Sequence, residues 1–218
     1  MVTNLHHGPL INLITSGQTT PATTPATEDF SRLLSLAQAA VAANVDLFQI
    51  REKNLSAAVL YALTARVAEI IRGSHTRLLV NDRGDVAAAA GADGVHLATY
   101  SLPPAVIRSA FGDAFLIGVS THSLAEAVSA RAGGADFVVF GPVFATPEKE
   151  KYGEPCGLTE LETIASELAP LPVLALGGLT VERVSDCLRA GAQGIAAIRM
   201  LSDPLQLDSV VNEIRERL

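Results

Sequence analysis

The sequence predicts a closed (β/α)8 barrel of the TIM type, forming one domain over residues 1–218. Three observations predict it. Short apolar, β-branched runs alternate with alanine-rich helical stretches, the alternation repeats through eight units, and polar, charged or glycine residues gather where each apolar run stops. A doubly wound open sheet would alternate in the same way, but eight units with no GxGxxG after the first strand favour closure. With 218 residues, 49% of them hydrophobic, the chain can bury one large core.

The strand candidates are, in order, Leu10–Thr15, Val45–Arg51, Leu78–Asp82, Gly94–Leu97, Phe115–Ser120, Asp136–Val143, Pro172–Gly178 and Gly194–Arg199. Most are continuously apolar, as parallel strands covered on both faces are. Between them, Phe30–Ala43, Ala57–Arg72, Leu124–Arg131, Thr159–Leu168 and Val181–Ala190 read as helices. The steps Gly91-Ala92, Gly134-Ala135 and Gly191-Ala192 read as helix ends just before the next strand. One stretch is no plain connection. Gly17–Glu28 is rich in Thr and Pro and lacks apolar periodicity, which predicts a mobile loop over the face where the first strand ends, either a lid or an insertion without a role.

A net charge of −7 leaves no basic field to gather nucleic acid or an anionic membrane, so an anionic substrate must be held by local groups. Two distant cysteines, Cys156 and Cys187, with no CxxC pattern, fit a reduced, cytoplasmic protein. Met1 to His7 is polar and reads as no signal peptide, and no apolar run approaches the ~18 residues of a membrane span. Small-molecule partners are expected, with a homo-oligomer left open.

In such barrels the chemistry sits at the C-terminal ends of the strands. Gln49-Ile50-Arg51-Glu52-Lys53 closes the second. Arg51 offers a planar fork for phosphate or carboxylate and Lys53 a compact charge, and alternation puts both on one side. The alternative is a solvated strand end with an internal ion pair through Glu52. Asn81-Asp82-Arg83 closes the third strand: Asn81 can read a heterocycle edge and Asp82 can bind Mg²⁺, or Asp82 can cap the following helix. Ser120-Thr121-His122-Ser123 closes the fifth, where His122 can shuttle a proton near neutral pH and Ser123 can cap a helix. Gly177-Gly178, with Gly194–Arg199 on the next strand, fits the phosphate site that barrels build after strands seven and eight, or else a tight turn. The segment from Gly141 to Gly153 holds Thr146 and Lys149 and reads as an anion-holding flap or an exposed charged loop.

Taken together, Gln-Ile-Arg-Glu-Lys, Asn-Asp-Arg, Ala-Asp-Gly-Val-His-Leu, Gly-Val-Ser-Thr-His-Ser, Gly-Pro-Val-Phe-Ala-Thr and Leu-Gly-Gly-Leu, in this order between Leu10 and Leu201, resemble the thiamine-phosphate synthase/TenI family. The resemblance implies two reactions. In the synthase, an aminopyrimidine pyrophosphate is joined to a thiazole phosphate with Mg²⁺ and pyrophosphate is released. Gln49, Arg51, Lys53 and Asn81 would then contact the pyrimidine and its pyrophosphate, Asp82 would ligate Mg²⁺, Lys149 would hold pyrophosphate and Gly178 the thiazole phosphate. Ser120, Thr146, Gly177 and Arg199 complete the substrate-binding set.

The chain departs from the synthase pattern in the loops. Ser101 stands where a second Mg²⁺-binding Asp is usual, Glu148 puts a negative charge where pyrophosphate should lie, and Arg199 replaces a small Ser. These changes resemble the TenI branch, which isomerises a thiazole carboxylate phosphate without metal or pyrophosphate and uses a His at the position of His122. The expectation therefore places a cofactor-free tautomerase first, with His122 moving protons and Arg51 and Lys53 holding the carboxylate. A Mg²⁺-dependent synthase is the alternative. A non-catalytic sensor of thiazole phosphate or thiamine phosphate is the third reading.

Overall fold

The computed structural model describes residues 9–145 and 154–216. Eight parallel strands, β1 Leu10–Ile14, β2 Leu47–Ile50, β3 Arg77–Asn81, β4 Gly94–Leu97, β5 Leu116–Thr121, β6 Phe137–Phe140, β7 Val173–Leu176 and β8 Gly194–Ala197, pair in sequence order. The ladder closes where Leu10 of β1 meets Gly194 of β8. Eight helices surround the strands: α1 Glu28–Ala42, α2 Ala57–Ile71, α3 Gly84–Ala90, α4 Pro104–Phe111, α5 Leu124–Ala132, α6 Gly157–Leu168, α7 Val181–Arg189 and α8 Leu207–Glu216. A 3₁₀ turn, Arg199–Leu201, follows β8. The closed barrel is the architecture the alternation predicts. Most strands are shorter than their apolar runs, because the charged and glycine residues at the ends leave the ladder: Val45–Arg51 pairs only over Leu47–Ile50, and Asp136–Val143 only over Phe137–Phe140.

Side chains alternate between two buried layers. On β1, Ile11 and Leu13 face the helices, while Leu10 and Ile14 join Leu47, Leu79, Phe137, Val139, Leu174 and Ala196 inside the barrel. Glycine makes room on the axis. A Cβ at Gly118 would lie 2.3 Å from Cζ of Phe137 and 2.8 Å from Nδ1 of His96, so these two rings fill the space a side chain there would take.

At the N-terminal ends of the strands one device recurs four times. The residue just before each even strand accepts the backbone N–H of the preceding odd strand: Asp46 from Ile11 (2.9 Å), Asp93 from Leu78 (2.8 Å), Asp136 from Ile117 (2.8 Å) and Gln193 from Val173 (2.7 Å). The three carboxylates each face an arginine, Arg215, Arg77 and Arg108 respectively.

The Thr/Pro-rich stretch departs from expectation. It is tied down by its own side chains: Thr23 Oγ1 accepts from Thr20 N at 3.0 Å and donates to the Asp29 carboxylate, and Thr27 Oγ1 accepts from Thr24 N at 3.1 Å. Thr19 and Thr23 are buried. Apolar periodicity is blind to such a segment because hydroxyl and backbone groups hold it, through local turns that Thr forms readily.

Candidate active site

A cavity of about 510 Å³ opens at the C-terminal ends of the strands, lined from β1, β2, β3, β4, β5, β7 and β8 and by the loop after β1. Ser16 and Gln18 reach it from that loop. β2 brings in Gln49, and beyond its last residue both Arg51 and Lys53 reach the cavity, on one side as alternation predicts. Arg51 is held from behind, its N–H donating to Thr15 Oγ1 at 2.8 Å.

Glu52 points the other way. Its buried carboxylate accepts from Gly17 N (3.0 Å), Thr19 N (3.2 Å) and Thr19 Oγ1 (2.7 Å). The ion pair considered from sequence gives way to this arrangement, in which Glu52 pins the segment after β1. Gly17 then packs so closely that a Cβ there would lie 3.2 Å from the Arg51 carbonyl oxygen.

Gln49 donates to Asn81 Oδ1 at 3.4 Å, and its own Oε1 is buried with no partner among the described residues. An amide with an idle acceptor at a cavity wall suits the edge of a nitrogen heterocycle, since burying it unpaired is costly. Asp82 is not brought in. It is exposed, takes a left-handed backbone (φ 64°), donates its N–H to the His96 carbonyl at 2.9 Å and lies outside the cavity lining. Nor does it cap α3, where Arg83 occupies the cap position and pairs with Asp85 at 2.6 Å.

His96 carries a position that sequence reasoning missed, although its motif was noted. It points inward from β4, with Nε2 2.8 Å from Ser120 Oγ, and Nδ1 has no partner among the described residues. Burial, with the Arg51 charge second, pushes its pKa from 6.5 down to about 4, so the ring is neutral at physiological pH. Inward parity beside two glycines, Gly94 and Gly118, is the signal that would have found it. His122 lines the cavity from the end of β5. Its N–H donates to Glu126 at 2.6 Å, and its Nδ1 meets the Gly141 carbonyl oxygen. A carbonyl only accepts, so Nδ1 carries the proton and Nε2 is left to accept one. Ser123 caps α5 as well, accepting from Glu126 N at 3.3 Å.

The β7–β8 corner is built from backbone. Gly177 and Gly178 both have positive φ, and a Cβ at Gly178 would lie 2.7 Å from the Ala145 carbonyl oxygen. The chain leaving β6 presses on them: Val143 N donates to Leu176 O at 2.8 Å and Phe144 N to Gly177 O at 3.1 Å. Arg183 of α7 closes the corner, donating to Gly178 O at 2.7 Å with its guanidinium 4.6 Å from the Phe144 ring centroid. Arg199 lines the cavity from the turn after β8. Thr146 and Lys149, and Glu148 with them, lie outside the described residues.

The donor set for a divalent cation is thin. Ser101 spends its hydroxyl on Ala98 N at 2.8 Å, and among the described residues no three His, Cys, Asp or Glu side chains are grouped as a metal cage would need. A Mg²⁺ held mainly by substrate phosphates needs only one or two carboxylates, and among the described residues none lines the cavity, Asp82 following directly on cavity-lining Asn81. Among the described residues no helix is long and apolar enough to cross a membrane.

A family model described as thiamine monophosphate synthase matches residues 21–201. The chain is 40% identical over 183 residues to a thiamine-phosphate synthase of Methanoculleus marisnigri, covering 84% of this chain and 86% of that relative. It is 34% identical over 191 residues to a thiamine-phosphate synthase of Chlorobium phaeobacteroides, covering 88% and 92%. The solved structure of a thiamine phosphate pyrophosphorylase from Pyrococcus furiosus matches with a TM-score of 0.77 at 27% identity, covering 95% of this chain and 94% of that one.

Proposed function

This chain belongs to the thiamine-phosphate synthase/TenI family, and we propose that its reaction is the joining of an aminopyrimidine pyrophosphate to a thiazole phosphate with release of pyrophosphate. The observation that carries the reading is that one cavity is lined both by Arg51 and Lys53 after β2 and by Gly177, Gly178 and Arg199 after β7 and β8, two groupings suited to anions, with the Gln49–Asn81 amides also on its wall. Two phosphorylated substrates need two such groupings. The names of the relatives support the transferase over the tautomerase that Ser101 and Glu148 favoured from sequence.

In this reading Arg51 and Lys53 take the pyrophosphate, Gln49 and Asn81 the pyrimidine edge, and Gly177, Gly178 and Arg199 the thiazole phosphate. Arg51 holds the leaving group through a bidentate fork and so retains the charge that builds as it departs. Asp82 would hold Mg²⁺ together with the substrate's phosphates, and the cation, when bound, would neutralise part of that charge. Neutral His96 and Ser120 set the polarity of the floor without adding a charge. A cytoplasmic setting, expected from the two distant cysteines, fits this reading.

The test mixes both substrates with Mg²⁺ and follows pyrophosphate and thiamine phosphate together. Equal amounts of the two support the reading; isomerisation of a thiazole carboxylate phosphate with neither product formed overturns it. One observation favours that second reaction: His122, its tautomer set by Gly141 O, is a ready proton acceptor at the cavity. In that case His122→Asn abolishes isomerisation.

A further inference from the structure

Tyr100 is an aromatic residue left 67% exposed at the end of β4, where no packing explains it. Its hydroxyl oxygen lies 2.7 Å from Nζ of Lys53, which comes from the end of β2. The ammonium is 5.4 Å from the ring centroid, twice as far as from the oxygen, so the contact is a hydrogen bond at the hydroxyl end of the ring. Both residues line the cavity, and both are exposed where Arg51 is half-buried.

The chemistry of that bond has one polarity. An ammonium has three donors and no acceptor, so the phenol oxygen accepts and its own proton must point elsewhere. Two N–H groups of Lys53 and the O–H of Tyr100 are then left as three donors from two side chains meeting at one place. A lysine on a four-carbon stem otherwise loses much rotamer freedom when it binds an anion, and the tyrosine, with two side-chain torsions, holds it in advance.

We propose that Tyr100 is a substrate-contacting, specificity-determining residue. With Lys53 it forms one receptor for the outer phosphoryl group of the pyrimidine substrate's pyrophosphate, while Arg51, deeper in the cavity, takes the inner one. The inference rests on the synthase reading for the identity of that substrate. Its consequence is discrimination by length: a diphosphate reaches both receptors and a monophosphate only the inner one. Tyr100 thereby adds side-chain donors to a cavity that no Asp or Glu lines among the described residues.

The experiment titrates the full-length protein with inorganic pyrophosphate and with inorganic phosphate, with Mg²⁺ present, and repeats both with Tyr100→Phe and Lys53→Met, singly and together. Tyr100→Phe keeps the ring and removes only the hydroxyl at an exposed position, and circular dichroism verifies that it folds. It is expected to weaken pyrophosphate about tenfold and phosphate less than twofold, as loss of a hydrogen bond to a charged group at the outer position alone would. The double variant binds no more weakly than Lys53→Met, because the two residues act as one receptor. With both substrates, the loss falls mainly in KM for the pyrimidine diphosphate. The proposal is overturned if Tyr100→Phe binds pyrophosphate as the parent does, if it weakens both anions equally, or if the parent itself fails to bind pyrophosphate. If the parent binds pyrophosphate but does not release it from the substrate pair, the synthase reading fails while the titrations still decide the role of Tyr100.

Discussion

The two corners of the cavity that the proposed function assigns to anions are built by different means. The β2 corner uses side chains: Arg51 and Lys53 project from the chain just past the strand, and Thr15 and Glu52 fix the backbone behind them. The β7–β8 corner uses main chain at two glycines, against which the β6 exit and Arg183 are packed. Side chains bring full charge and reach but must be ordered. Backbone corners bring fixed donors that cost little to order but tolerate no added atom. A flexible diphosphate suits the first and a compact monophosphate the second.

Gly178→Ala should have the largest effect. It puts a Cβ within 2.7 Å of backbone at φ 61°, and is expected to weaken thiazole phosphate by several hundredfold in calorimetry while pyrophosphate is little changed. Equal losses for both ligands would mean that the corners are not independent.

His96 forms the floor of the cavity beside the β2 corner. The folded chain protonates His96 only near pH 4 and the unfolded chain near 6.5, so between these values the unfolded state binds more protons. Stability is full above about pH 6.5 and falls on acidification toward pH 4, by on the order of 3 kcal/mol in all. Urea unfolding across this range should show that loss, and it should be absent in His96→Asn. Removing the neighbouring charge with Arg51→Met should shift the loss to a narrower range, because the His96 pKa then rises.

Arg51→Lys keeps the charge and loses the fork. Pyrophosphate affinity should drop about thirtyfold with thiazole phosphate unaffected, and a full rescue by Lys would show that charge alone matters there. The smallest effect is expected from Glu52→Gln, which keeps the shape but must turn its amide NH₂ either toward the Gly17 N–H or toward the Thr19 N–H and hydroxyl. It should cost about 1–3 kcal/mol of stability and open residues 17–28 to limited proteolysis, with only a few-fold loss of pyrophosphate. Unchanged protease resistance would show that the Thr side chains alone hold that segment.

The two corners also differ in how far the sequence alone announces them. Gln49, Arg51 and Lys53 were legible because parity and charge at a strand end are properties of neighbouring residues. Gly177-Gly178 was legible as a place for backbone, though not which backbone: the β6 exit that packs on it is more than thirty residues away. That Asp82 lies outside the cavity lining was not legible, because its side chain follows a left-handed φ that the residue type does not announce. Glu52 was misjudged because its partners come from a segment after another strand. His96 was overlooked because its meaning lies in the cavity floor it shares with Ser120 and Gly118. Local pattern thus marks where a group sits along the chain, while long-range packing decides what it faces.

The four acceptors beneath the barrel bear on how such a closed structure can assemble at all. Each ties an odd strand to the residue before the next even strand, across sequence separations of 35, 15, 19 and 20 residues. Each pair of strands can therefore find its register from nearby chain alone, well before the first and last strands meet. The long-range seam between Leu10 and Gly194 then has only to join units already in step, which shifts the entropic cost of closure to a single late event.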